Sequence, residues 1–280
     1  MSKSQVISKK IKNFQSFLRL KTPPLVSGYI TIFLVNFLYI IGYKWSRPLL
    51  LFYKGKFHWL LQWKDSKLHI TSPFRIYWYL NPRGLEGRLN SLRRRYSLPN
   101  QVDVTKGDVV LDIGANVGEY SLSVVEDASK IIAFEPDPYV YQCLKLNTSS
   151  FIKIVCKPYL LWSDCETVTF YSSSKDADSS TFLPPESKEI DNQLSLEGVT
   201  LDSVLSEIGQ DKIDFLKMDA EGAEPEVLKG AVNTLTRIKK VAIDCGPERL
   251  GKNTIEETKQ ILQKSGLKTK QEKNILFGWR

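Results

Sequence analysis

Residues 109–121 read VVLDIGANVGEYS, in which an apolar run ends in a short segment rich in glycine and polar residues. VVLDI has the length and branched apolar content of a buried strand, and a helical pattern resumes after Gly118. Glycines such as Gly114 and Gly118 in a strand-to-helix turn let the backbone approach a ligand closely. The stretch therefore predicts the first strand and ligand-binding turn of an α/β domain. A tight packing corner without a ligand would give the same pattern.

The chain after this stretch alternates short apolar runs with helical patterns. Further strands are predicted at IIAFE, IKIVC, IDFLKMD, KKVAIDC and NILFGW, with an extra strand and a serine-rich loop at VTFYSSS. Helices are predicted after Pro138, over LDSVLSEIG with Asp202 as its cap, over PEVLKGA, and from Thr254 to about Lys264. This alternation predicts a doubly wound, mostly parallel sheet.

Polar side chains stand where the first two strands end. Glu135 ends the second strand, where a carboxylate can accept hydrogen bonds from both hydroxyls of a ribose. Asp112 suits a cationic amine and would repel a phosphate, and Asn116 replaces the central glycine of a dinucleotide fingerprint. The pattern therefore favours S-adenosylmethionine as the ligand, with a dehydrogenase that binds NAD as the weaker alternative.

Three segments resemble the FkbM-type S-adenosylmethionine-dependent methyltransferases: LDIGANVGEYSLSV, AFEPDP with the later KLN, and FLKMDAEGAEPEVLKGA. The resemblance covers residues 97–280 and implies a class I, Rossmann-like methyltransferase fold. It also implies methyl transfer to a hydroxyl of a sugar or another natural-product scaffold, without identifying the acceptor. The cofactor-binding residues expected from this match are Asp112, Gly114, Asn116, Gly118, Tyr120, Glu135, Asp137 and Ser163.

The acidic segment KMDAEGAE supplies the candidate catalytic residues, Asp219, Glu221 and Glu224. Both histidines of the chain precede residue 97, so a carboxylate is the expected proton acceptor for an acceptor hydroxyl. Alternatively, the same carboxylates bind a divalent cation that lowers the pKa of the acceptor. A third interpretation is that Glu221 and Glu224 only favour the N-terminus of the following helix.

The chain up to residue 64 is basic and contains an uncharged segment. It holds eleven lysines and arginines and no acidic residue, whereas the rest of the chain is slightly acidic. The uncharged segment at residues 22–43 is long enough, at about 1.5 Å per residue, to cross a bilayer as a helix. Aromatic residues at its end and basic residues before it would suit a membrane interface. We therefore predict a mainly helical N-terminal region, residues 1–96, that associates with a membrane through residues 1–45.

Three polar residues, Ser27, Thr31 and Asn36, dilute this apolar segment. They leave open whether the segment spans a membrane, lies on its surface, or is a buried helix of a soluble domain. Basic residues flank the segment on both sides, so its orientation is undecided.

Other features limit the function. The four cysteines form no CxxC pair, which favours reduced thiols in the cytoplasm. The basic run RLNSLRRRY is typical of a solvated helix face, and no nucleic-acid-binding module surrounds it. The chain is predicted to be an O-methyltransferase of a saccharide, glycan or lipid-linked glycan, located in the cytoplasm or on the cytosolic face of a membrane. The alternatives are an N-methyltransferase, a methyltransferase of a small soluble metabolite, and a non-catalytic nucleoside-binding protein with this fold.

Overall fold

The structure, a computed structural model, describes residues 24–40, 48–55, 58–172, 192–249 and 251–280. The chain forms two compact units that divide between Ser91 and Leu92. The predicted domain boundary at residue 97 stays a prediction. The predictions for the basic residues before position 22, for residues 41–47 and for the serine-rich loop after Ser172 lie outside the described residues.

The first unit combines helices with a small antiparallel sheet. Its elements are α1 (Pro24–Ile40), β1 (Leu50–Gly55), β2 (His58–Gln62), β3 (Lys67–Ile70) and a 3₁₀ helix (Pro73–Tyr79), and α2 (Leu85–Arg95) continues from the first unit into the second. The strands pair in the order β1-β2-β3. This sheet was not predicted. Trp59 and Leu61 in β2, and Leu68 and Ile70 in β3, are the buried residues of an alternating pattern.

Helix α1 covers most of the uncharged segment predicted at residues 22–43. Among the helices of the described ranges, none combines the length and the apolar content that crossing a membrane requires.

The second unit carries the α/β pattern predicted from the sequence. Its described strands are β4 (Val109–Ile113), β5 (Lys130–Phe134), β6 (Ile154–Lys157), β7 (Leu160–Leu161), β8 (Thr167–Ser172), β9 (Asn192–Val199), β10 (Phe215–Met218), β11 (Lys240–Asp244), β12 (Lys268–Glu272) and β13 (Ile275–Trp279). Its helices that follow α2 in the described residues are α3 (Glu119–Val124), α4 (Pro138–Thr148), α5 (Leu201–Glu207), α6 (Glu224–Lys229), α7 (Val232–Arg237) and α8 (Ile255–Lys264).

Seven of these strands form one sheet in the order β12-β13-β11-β10-β4-β5-β6, and β7, β9 and β8 form a separate one. The central strands are parallel, and β13 runs antiparallel to β11 and to β12. This confirms the predicted doubly wound, mostly parallel sheet of the class I methyltransferase type. Chain order reverses between β4 and β10, which is where ligands bind in such sheets. The edge strand β12 was not predicted, because its sequence KTKQE lacks apolar alternation.

Both faces of the large sheet are covered. Val110 and Phe215 belong to one apolar core, and their neighbours Leu111 and Leu216 belong to the other. Successive side chains of a strand point to opposite faces, so a continuous apolar run is needed where both faces are buried.

One predicted cap was wrong. Helix α5 begins after Thr200, whose side chain accepts a hydrogen bond from the backbone N–H of Ser203 at 3.1 Å. Asp202 lies inside the helix, where its carboxylate accepts the backbone N–H groups of Asn233 and Thr234, each at 2.8 Å. It therefore joins α5 to α7, a tertiary contact that the local sequence does not reveal.

Candidate active site

The turn after β4 is a left-handed backbone segment packed against the end of β10. Gly114, Asn116 and Gly118 have φ angles of +66°, +51° and +93°. A Cβ atom on Gly114 would lie 1.9 Å from the carbonyl oxygen of Asp219, so only glycine fits. Asn116 tolerates its conformation because its Oδ1 accepts the backbone N–H of Val117 at 2.8 Å. The turn thus lies at the switch point of the sheet.

Asp112 is fully buried behind this turn. Its Oδ1 lies 3.1 Å from Nζ of Lys217, its register partner on β10, and its Oδ2 accepts a hydrogen bond from Ser121 Oγ at 2.6 Å. Lys217 Nζ also donates to the carbonyl oxygen of Gly114 at 2.8 Å. The amine that faces Asp112 in the structure therefore comes from the protein, and the pair ties the two strands to the turn. Sequence analysis missed Lys217, because the pairing depends on strand register.

Glu135 lies just beyond β5 and reaches the same turn. Its Oε2 accepts the backbone N–H of Asn116 at 2.9 Å, and its Oε1 accepts that of Asp137 at 3.0 Å. Burial, assisted by the charge of Asp137, raises the pKa of Glu135 to about 8. Each carboxylate oxygen has a second lone pair, so Glu135 retains the capacity to accept two hydroxyl groups.

Asp137 has a structural position at the start of α4. Its Oδ1 accepts the backbone N–H groups of Tyr139 and Val140 at 2.8 Å and 3.2 Å, and Ser172 Oγ donates to its Oδ2. This is an N-cap geometry, and Pro138 at the first helical position reinforces it. Asp137 therefore fixes the helix beside Glu135.

Tyr120 and Ser163 occupy different surroundings. The Tyr120 ring is buried, edge-to-face with Tyr96 at 5.4 Å between centroids and stacked on Phe215 at 6.4 Å. Ser163 is half-buried in the bend after β7, a strand of the separate sheet. The structure thus gathers Asp112, Gly114, Asn116, Gly118 and Glu135 around one turn, with Tyr120 in the core nearby.

Asp219 stands at the end of β10, opposite the glycine turn. Its backbone N–H donates to the carbonyl oxygen of Ile113 at 3.0 Å, and its Oδ2 accepts a hydrogen bond from the Tyr96 hydroxyl at 2.8 Å. Burial and the charge of Asp219 raise the pKa of Tyr96 well above its ordinary value. Tyr96 therefore remains a hydrogen-bond donor at neutral pH.

A second carboxylate, Asp244, ends the neighbouring strand β11. Its Oδ2 forms an ion pair with Arg95, and its buried Oδ1 has no hydrogen-bond partner in the part of the chain that the structure describes. Burial and the charge of Asp219 raise the pKa of Asp244 to about 6, although Arg95 and Lys217 oppose the shift. Sequence analysis missed Asp244, although the rule that selected Asp219, a carboxylate at a strand end, applies equally to AIDC.

Glu224 holds the loop between β10 and α6. Its Oε1 accepts the backbone N–H groups of Ala220 and Gly222 at 3.2 Å and 3.0 Å, and Thr254 Oγ1 donates to its Oε2 at 2.7 Å. Burial raises the pKa of Glu224 to about 7. Glu221 is half-buried at the tip of this loop with a φ angle of +50°. Of the three predicted catalytic carboxylates, Asp219 is thus the one joined to the other carboxylate-bearing strand end.

The predicted divalent cation stays a prediction. Within the described ranges, no group of three or more His, Cys, Asp or Glu side chains is arranged to hold a metal ion. The two histidines, His58 and His69, belong to β2 and β3 of the first unit, where Nε2 of one lies 2.7 Å from Nδ1 of the other.

Known proteins share this sequence pattern. The chain is 26% identical over 157 residues to the 2-O-methyltransferase NoeI of Sinorhizobium fredii, covering 51% of this chain and 65% of that protein. It is 24% identical over 143 residues to the hexuronic acid methyltransferase AglP of Haloferax volcanii, covering 51% and 57%. The chain therefore spans less than two thirds of each relative. Among solved structures, Aeropyrum pernix fibrillarin with natively bound S-adenosyl-L-methionine is 12% identical with a TM-score of 0.41, covering 84% of this chain and 99% of that one.

The family assignment rests on a longer match. The sequence model described as the Methyltransferase FkbM domain matches residues 112–269, which is more than half of the chain and includes both the glycine turn and Asp219. The chain belongs to the FkbM methyltransferase family.

Proposed function

We propose that this methyltransferase uses S-adenosylmethionine to methylate a hydroxyl group of a saccharide, a glycan or a lipid-linked glycan. The observation that carries the proposal is the meeting of the glycine turn, Glu135 and Asp219 at one edge of the sheet. The printed names of the relatives, a 2-O-methyltransferase and a hexuronic acid methyltransferase, support a sugar hydroxyl as the acceptor.

The residues around the turn fit this cofactor. Glu135 is anchored by two backbone N–H groups and retains acceptor capacity for the two ribose hydroxyls. Gly114 and Gly118 leave the turn without Cβ atoms, and the Asp112–Lys217 pair fixes its position. When bound, S-adenosylmethionine supplies an electrophilic methyl group, and the chain itself must orient the acceptor and remove its proton.

We assign the proton acceptor to Asp219. Its Oδ2 is held by the Tyr96 hydroxyl, which leaves Oδ1 to accept a hydrogen bond from the acceptor hydroxyl. Tyr96 also fixes the carboxylate rotamer, and a held base reacts faster because less ordering is needed in the transition state. Ion pairing with Arg95 offsets the negative charge of Asp244 on the next strand.

The Asp219→Asn variant tests this assignment. It keeps the shape of the side chain and removes its basicity, so we expect S-adenosylmethionine affinity within a few-fold of wild type and turnover lower by roughly 10²–10⁴. Turnover is measured as methyl transfer to extracted saccharides, detected as a mass gain of one methylene. Wild-type turnover in this variant would remove Asp219 from the mechanism.

Two controls separate the alternatives. In the wild type, activity that is lost with a chelator and restored by Mg²⁺ or Mn²⁺ would assign Asp219 to a metal site, whereas activity indifferent to the chelator supports the direct base. Cofactor binding without transfer to any saccharide, amine or metabolite pool would favour the non-catalytic alternative.

A further inference from the structure

Helix α1 has its polar residues on the inside. Thr31 is buried, and the Asn36 side chain bonds both backbone groups of Leu49, donating to its carbonyl oxygen at 2.8 Å and accepting its N–H at 3.1 Å. Near the other end, a Cβ atom on Gly28 would lie 2.8 Å from Pro73 and 2.9 Å from Leu51. The helix is therefore fixed at both ends against β1 and the 3₁₀ helix.

The outer side of α1 is apolar. Its spacing follows the 3.6-residue period, so these side chains share one face. The exposed members are Val26, Tyr29, Ile30, Phe33, Phe37 and Ile40. Phe33 and Ile40 are 73% and 79% exposed. The rings of Phe33 and Phe37 stack with centroids 6.2 Å apart.

Strand β1, on which α1 packs, adds to this surface. Leu51 points inward and is buried, whereas Leu50, Phe52 and Tyr53 are exposed. A helix of a water-soluble protein normally places its polar residues in water, so this arrangement is the reverse of the usual one. Exposed apolar surface of this kind marks a contact with another molecule.

The charge of the surrounding chain indicates which molecule. The first 64 residues hold eleven lysines and arginines and no acidic residue, and the outer face of α1 itself carries no charge. An apolar face with basic residues in the adjoining chain matches an anionic bilayer, whose acyl region and headgroups provide the two complementary environments. Because α1 is fixed to β1 at both ends, it would lie along the membrane surface.

We propose that the outer face of α1, with the exposed side chains of β1, is a docking surface for an anionic lipid bilayer. Phe33, Phe37 and Ile40 enter the boundary between headgroups and acyl chains, and the basic residues bind the headgroups. This inference does not depend on methyl transfer, and its test measures lipid binding alone.

The test uses the full chain and vesicles of phosphatidylcholine, alone or mixed with phosphatidylglycerol, in a flotation assay. We expect wild type to float with the anionic vesicles and to bind neutral vesicles more weakly, with binding reduced at high salt. The double variant Phe33→Ser/Phe37→Ser should lower partitioning roughly a hundredfold, because each buried aromatic side chain contributes about tenfold or more.

The matched control is Ile152→Ser/Val232→Ser, which removes two exposed apolar side chains from the second unit, where Ile152 is 97% exposed. This control should float like wild type. Equal flotation of the Phe33/Phe37 variant and wild type, or absence of wild-type binding to anionic vesicles, overturns the proposal. So does a wild-type dimer without lipid that becomes monomeric in the Phe33/Phe37 variant, because the face would then be occupied by a second copy.

A single variant covers the case in which the double variant does not fold. Phe33→Trp preserves an aromatic ring and adds a fluorophore at the proposed depth. Lipids brominated on their acyl chains should quench more of its fluorescence than of the wild-type fluorescence. Equal quenching in the two proteins would place position 33 outside the bilayer and contradict the proposal.

Discussion

Replacing Glu135 with alanine should weaken S-adenosylmethionine binding by an amount that depends on pH. Two hydrogen bonds from ribose hydroxyls to a charged carboxylate contribute about 3–6 kcal/mol together. The raised pKa of Glu135, about 8, means that the carboxyl group must lose a proton before it can accept both bonds. Near pH 7 this ionisation costs about 1.4 kcal/mol. The net loss in the Glu135→Ala variant is therefore about 2 kcal/mol or more, roughly thirtyfold in Kd.

The pH dependence follows from the sign of this shift. As the pH rises towards 8, wild-type affinity should increase, because less free energy is needed to ionise Glu135, and it should level off above the pKa. The loss in Glu135→Ala should therefore be roughly tenfold larger near pH 9 than near pH 7. Isothermal titration calorimetry in buffers of different ionisation enthalpy measures both the Kd and the proton released.

Asp214→Asn is the matched control. Asp214 is equally buried but lies before β10, at the opposite edge of the sheet, where its carboxylate accepts the backbone N–H of Val109 at 2.9 Å. Its substitution should leave the pH dependence of binding unchanged. A folded Glu135→Ala protein with wild-type affinity at both pH values would refute the placement of Glu135 on the ribose.

Three further predictions concern stability. The raised pKa of Glu135 stabilises the folded, ligand-free chain fully below about pH 4, and this contribution is lost as the pH rises through about 8, so the thermal midpoint should fall between pH 5 and 8, and less so in Glu135→Gln; a midpoint that rises would contradict it. Gly114→Ala should lower the free energy of unfolding in urea by several kcal/mol, because its Cβ meets a backbone oxygen at 1.9 Å, whereas Gly107→Ala, with φ +90° and open space, should cost only about 1–2 kcal/mol; equal losses would show that the close approach does not matter. Lys217→Met should cost about 3–5 kcal/mol by leaving Asp112 buried without its partner, and adding Asp112→Asn should recover part of that loss; strict additivity would indicate that the two residues are not coupled.

Much of the fold was predictable because it depends on local patterns. Continuous apolar runs such as VVLDI predict strands buried on both faces, and a glycine turn followed by a helical pattern predicts the switch point. The polar edge strand β12 and the sheet of the first unit escaped prediction. An edge strand exposes most of its side chains, and the aromatic and basic residues of β1 to β3 do not separate strand from helix.

The sequence by itself determined the family, the parallel sheet and the strand-end carboxylates Glu135 and Asp219, since each follows from residue order along the chain. The tertiary structure decided which partners those groups meet. Strand register places Lys217 against Asp112, and the packing of residues that precede the predicted domain brings Tyr96 to Asp219. Contacts between residues far apart in sequence depend on packing in three dimensions, which local patterns do not encode. The same reason explains α1, whose composition is apolar throughout but whose packing alone decides that the polar side chains face inward and the aromatic ones outward.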